Sequence, residues 1–164
     1  MKRLALVLAA ALLAMPALPH VTAAATAGMS EPEALVRGIY DQYSADGNPS
    51  DPYDDDFSPQ LLKLWEAVED GAGDDDQNGI DFDVFLDAQD TDTVTNLATA
   101  LHPAGADKAM VDVTFSAFGE KKSLRYAMVK TADGWKIDNI SWGAGRPDLR
   151  ATLDDLLKKQ QSPH

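Results

Sequence analysis

The sequence predicts an α+β fold, cone-shaped, in which a curved antiparallel sheet of about four strands carries N-terminal helices and a C-terminal helix. Three observations predict it. Two stretches with helical spacing precede residue 72, four strand-like segments fill residues 94–142, and a leucine stripe closes the chain. Elements segregated in this way pack as helices over one face of an antiparallel sheet rather than alternating around a parallel one.

The first helix is expected over residues 31–44. Ser30 and Glu33 have capping-box spacing, and Leu35, Val36, Ile39, Tyr40 and Tyr43 then recur every three or four residues. Residues 46–57, rich in Asp, Pro, Gly and Asn, have the chemistry of a loop. Ser58 followed by Pro59 places a cap before a first-turn proline, and Leu61, Leu62, Trp65 and Val68 mark a second helix that Gly71 stops. Strands are expected at 94–101, 109–117, 123–131 and 135–142, separated by turns at Gly105, Gly119 and Asp133-Gly134. In the second, Val111, Val113 and Phe115 alternate with Asp112, Thr114 and Ser116, the pattern of a half-buried strand. In the fourth, Trp135 and Ile137 share one parity while Ile140 and Trp142 share the other. That strand is either covered on both faces or bulged near Asp138-Asn139. The last helix, 148–160, carries Leu149, Leu153, Leu156 and Leu157 on a stripe and ends in Lys158 and Lys159, which suit its dipole.

Ahead of these elements, Lys2 and Arg3 precede an apolar run from Leu4 to Met15, then Pro16, Pro19 and small residues. This is the layout of a cleavable signal peptide over residues 1–27, and the run is too short to span a membrane. A single domain is expected over residues 28–164, periplasmic or secreted. No Cys is present, so neither disulfides nor lipid attachment to a thiol is available.

The chain of 164 residues has a formal net charge of -13. Such a charge argues against nucleic acid as a partner, since phosphates are held by clustered Lys and Arg. Removing Lys2 and Arg3 leaves 12 bases against 27 acids, a balance of -15. Residues 46–92, with sixteen acids against the single base Lys63, account for all of it, because the flanking segments cancel. The charge is a local acidic segment on one domain.

The segment Phe82-Asp83-Val84-Phe85-Leu86-Asp87-Ala88-Gln89-Asp90, the strand Gly134-Trp135-Lys136-Ile137-Asp138-Asn139-Ile140 and the leucine-rich helix after it resemble the bacterial family called domain of unknown function 3828, of the nuclear-transport-factor-2-like or cystatin-like superfamily. The resemblance covers roughly residues 31–157. It implies export and the cone-shaped fold, and it implies no established reaction.

Several groups are candidates for a site. Asp74, Asp76 and Asn78 before Gly79 match the first half of a calcium loop, with Asp81 able to close a non-standard site. The match fails where a bidentate Glu is needed, since Phe85 stands there. A solvated acidic loop is the competing reading, and weak calcium is the only cofactor the sequence brings forward. Gln89 and Asp90 follow an apolar stretch, which places them partly buried at the junction of the helical layer and the first strand, with Arg125 or Arg37 as partner. A carboxylate there serves either as a raised-pKa base or as a pin for the turn. Tyr43 and Trp142, each beside a break, are candidates for lining the mouth of the cone. His102, before Pro103, reads as a loop residue at a strand end, with no nucleophile-elbow serine to serve.

No catalytic constellation emerges, so the expected function is a non-catalytic binding or accessory module of the cell envelope, for a protein partner or small ligand. A small-molecule enzyme with Asp90 or Asp138 in a deep pocket, and a calcium-stabilised envelope domain, are the alternatives. The open sheet face is available to a homodimer.

Overall fold

The computed structural model describes residues 30–45, 53–72, 79–143 and 145–162. The expected signal peptide and Asp74, Asp76 and Asn78 lie outside them. The order is α1 (Glu31–Asp41), α2 (Tyr53–Asp56), α3 (Pro59–Ala72), β1 (Thr95–Pro103), β2 (Lys108–Ala117), β3 (Glu120–Thr131), β4 (Gly134–Ser141) and α4 (Leu149–Gln160). The strands form one antiparallel meander in the order β1-β2-β3-β4, with helices on one face, so the α+β class stands.

Local chemistry accounts for the helix ends. Ser58 Oγ accepts from the Leu61 N–H at 3.2 Å, the cap that the Ser-Pro pair implies. Asp148 does the same for Ala151 at 2.9 Å. Ser30 differs, because its hydroxyl donates to Glu33 Oε2 at 2.7 Å and makes no side-chain cap to the backbone. Helix α1 stops at Asp41, two residues before its apolar spacing ends, because the Gln42 and Tyr43 N–H groups turn to Ile39 and Tyr40 and tighten the last turn. Within the stretch expected to be loop, Tyr53–Asp56 forms one helical turn, and Phe57 then pairs with Ile137 on the edge of β4.

Strand β2 alternates as its sequence requires, with Val111, Val113 and Phe115 buried. Strand β4 resolves its broken parity with a bulge. Ala127 faces Asn139 and Met128 faces Ile137, which leaves Asp138 as the extra residue. Ile137 and Ile140 therefore both reach the core. The β2–β3 hairpin closes on Phe118 and Gly119, both with positive φ, the geometry of a type I′ turn. Strand β1 runs to Pro103, so His102 is a strand residue and not a loop residue.

The core joins the inner face of the sheet to Val36, Ile39 and Tyr40 of α1, Leu61 and Val68 of α3, and Leu149 and Leu153 of α4. Val84, Phe85 and Leu86 complete it from a loop, each with no exposed surface. Among the described residues no helix is long and apolar enough to cross a membrane.

Candidate functional site

Two junctions organise the surface. The first surrounds the buried loop. Asp83 Oδ1 accepts from the Phe85 and Leu86 N–H groups at 2.8 and 3.2 Å, and Oδ2 accepts from Tyr43 Oη at 2.7 Å. The Asp83 N–H donates to Ala88 O at 2.8 Å and pinches the loop shut. Tyr40 Oη donates to Phe85 O at 3.0 Å and stands 2.7 Å from Tyr126 Oη, while Trp142 Nε1 donates to Val84 O at 2.9 Å. Burial pushes the Tyr40 and Tyr126 hydroxyls far above their ordinary range, so both remain neutral donors. Asp87, at φ 52°, bonds Arg146 at 2.5 Å, and Arg146 lies over the Trp142 ring.

Tyr43 and Trp142 are thus buried, 7 % and 8 % exposed, with their polar atoms turned inward onto this loop. Gln89 and Asp90 are exposed, contrary to the partial burial expected, because the apolar stretch before them is a loop whose side chains fold inward while its end emerges at the surface. The cations considered for Asp90 are engaged elsewhere: Arg37 donates to Thr99 Oγ1 at 3.1 Å, and Arg125 pairs with Asp112. Asp81 is exposed and, with Phe82, Asp87, Gln89 and Arg146, lines a depression of about 310 Å³. Among the described residues no group of three His, Asp or Glu is placed to hold a metal ion.

The second junction is the β4 bulge. Asp138 Oδ1 accepts from Ser58 Oγ at 2.6 Å and from an Arg150 terminal nitrogen at 2.5 Å, and its backbone oxygen accepts from Arg150 Nε at 2.6 Å. Asn139 Oδ1 adds a bond from the Arg150 N–H at 3.1 Å. The first turns of α3 and α4 thus meet at one point. Their last turns meet as well, where Gln160 Nε2 donates to Val68 O at 3.0 Å and the Gln160 amide lies against Gly71, where a Cβ would stand 2.2 Å from its oxygen. The helices consequently run side by side in the same direction. Gly71, costly within a helix, is the residue that admits this approach.

Between those two contacts the helices leave a groove of about 390 Å³ lined by Gln60, Lys63, Leu64 and Ala67 from α3 and by Arg150, Asp154 and Leu157 from α4. Leu64, Ala67 and Leu157 give it an apolar floor. The sequence carries no direct signal for the groove, although the i, i+4, i+7 spacing of Gln60, Leu64 and Ala67 matches that of Arg150, Asp154 and Leu157. Asp138, considered for a deep pocket, instead sits at one end of the helix pair.

The outer sheet face carries a third feature. Asp112 accepts from Arg125 at 2.5 and 2.8 Å and lies 3.1 Å from His102 Nε2. The Arg125 bond, with its charge, holds the Asp112 carboxyl below its ordinary value. Thr114, Ser123 and Ser141 border a shallow hollow of about 450 Å³ beside this cluster. Asp56, half-buried before β4, has a raised pKa because burial penalises its charge more than Lys136 compensates.

No protein-family model matches the chain, and no curated protein does. Among solved structures, a phospholipid-binding protein from Ralstonia solanacearum, solved in complex with a phospholipid, aligns with a TM-score of 0.39 at 14% identity, over 80% of this chain and 97% of that one.

Proposed function

We propose that the protein is an exported, non-catalytic binding module of the cell envelope that takes a small ligand in the groove between α3 and α4. The observation that carries this reading is the groove itself, an apolar floor of about 390 Å³ with polar groups along its walls. Pockets of this kind begin at about 300 Å³. The groove rests on rigid supports, because Asp138 fixes one end of the helix pair and the Gln160–Gly71 contact fixes the other. The carboxylates considered for catalysis support the same reading: Asp90 stands on the surface, and Asp138 is committed to Ser58 and Arg150.

Export is supported by the basic, apolar and small-residue order of the first 27 positions, and membership of the family that residues 82–90 resemble is proposed on those residues. N-terminal sequencing of protein recovered from the envelope fraction is expected to find a start between Ala24 and Gly28. The groove is tested with a neutral fluorescent probe such as N-phenyl-1-naphthylamine. One saturable site per chain is expected, lost in Ala67→Trp, which fills the floor from an exposed helix position while the unfolding midpoint is kept. Equal binding by wild type and Ala67→Trp overturns the assignment.

A further inference from the structure

The charges along the groove define which ligand it fits. Arg150 lines one wall, but its guanidinium is tied to Asp138, so its charge is already balanced. Two exposed ions remain, Lys63 from α3 and Asp154 from α4. Among the described residues neither forms a salt bridge. Lys63 is also the single base that the acidic segment itself contributes. Leu64, Ala67 and Leu157 lie with these ions along the same groove. One positive and one negative group over an apolar floor complement a ligand with the same three parts.

We infer that the groove binds a single-chain zwitterionic amphiphile, its anionic group toward Lys63, its cationic group toward Asp154 and its hydrocarbon on Leu64, Ala67 and Leu157. This rests on the reading of the groove as the ligand site. A wholly anionic head group leaves Asp154 facing a like charge, and a wholly cationic one does the same to Lys63, so the zwitterion is favoured over both. At about 390 Å³ the groove is nearer the size of one hydrocarbon chain than of two.

The test uses four twelve-carbon amphiphiles, each below its micelle threshold: dodecylphosphocholine, dodecanoate, dodecyltrimethylammonium and the neutral dodecyl maltoside. Calorimetry on the purified protein is expected to show dodecylphosphocholine binding tightest. Lys63→Ala should move the preference toward the cationic amphiphile and Asp154→Ala toward the anionic one, each by about fivefold, as near-surface ion pairs allow. Both positions are exposed, so the fold is retained. If the affinity order is the same in wild type and both variants while Ala67→Trp abolishes binding, the groove stands and the zwitterion inference is overturned. If Ala67→Trp leaves all four affinities unchanged, the groove assignment itself fails. Dissociation of a dimer by Ala67→Trp, or sedimentation with phosphatidylcholine vesicles without uptake of the monomeric amphiphile, makes a second copy or a bilayer the occupant and also overturns the inference.

Discussion

Asp83 shows how one side chain converts an apolar run into a loop. Val84, Phe85 and Leu86 are fully buried without belonging to a strand or helix, so their backbone groups need partners that regular structure does not supply. The Asp83 carboxylate satisfies two of those N–H groups and the Tyr43 hydroxyl, while Tyr40 and Trp142 satisfy two carbonyls. Asp83→Ala removes three bonds to an ionised acceptor and is expected to destabilise the protein by about 3 kcal/mol. Asp83→Asn, which retains an acceptor oxygen for the backbone, should cost about 1 kcal/mol. Urea unfolding measures both, and equal losses would show that charge, not the acceptor geometry, holds the loop. Phe118 makes the opposite case. It is 41% exposed and sits at φ 54° in the β2–β3 turn, a conformation that Asn adopts readily and Phe does not. Phe118→Asn should therefore raise stability by about 1 kcal/mol, seen as a higher urea midpoint with an unchanged slope.

At the scale of elements, the β4 bulge has an effect beyond its strand. By inserting one residue it keeps Ile137 and Ile140 on the core face and frees Asp138 to hold the first turns of α3 and α4. That break was legible in the sequence, because a side-chain period of two cannot change phase without an extra residue or a second covered face. The Ser58 cap and the strand order were legible for similar reasons, since capping and hairpin signals act over a few residues. The loop at 83–88 was not. Its apolar side chains have no period, and several of the bonds that hold it come from residues distant in sequence, such as Tyr40, Tyr43 and Trp142. The groove between α3 and α4 escaped for the same cause, since two exposed helix faces become a groove only when Asp138 and Gly71 set the helices side by side. Asp138→Ala is expected to cost about 2 kcal/mol, because Ser58 and the Arg150 terminal nitrogen lose their carboxylate acceptor while the Arg150 Nε bond to the backbone oxygen remains. In a double-mutant cycle with Arg150→Ala the two losses should overlap by about 1 kcal/mol. Strict additivity would mean that the helices are held by their apolar contacts alone.

For the whole molecule, the net charge of -13 sets how stability responds to salt. Salt weakens attractions and repulsions alike, so the sign of its effect tells which is larger in the folded chain. Among the described residues the attractions fall in two groups: Arg125–Asp112, Arg146–Asp87 and Arg150–Asp138, each at 2.5 Å and partly shielded from salt, and Lys158–Asp155 at 2.9 Å, Lys130–Glu31 at 3.9 Å and Lys122–Glu120 at 3.8 Å, each with a well-exposed partner. Pairs of this kind contribute about 0–1 kcal/mol. Their loss on screening is correspondingly small. The repulsions are concentrated, because sixteen acids share residues 46–92 with one base. Folding compresses this charge, whereas unfolding spreads it. The thermal midpoint is therefore expected to rise when ionic strength increases from about 0.01 M to about 0.15 M, as the screening length falls from about 30 Å to about 8 Å. Sodium chloride is the proper titrant, since a monovalent salt raises screening without supplying a divalent ligand to the carboxylates. Differential scanning fluorimetry at constant pH measures the shift. A midpoint that falls with salt would show that paired charges outweigh the acidic segment and that its carboxylates lie too far apart to repel.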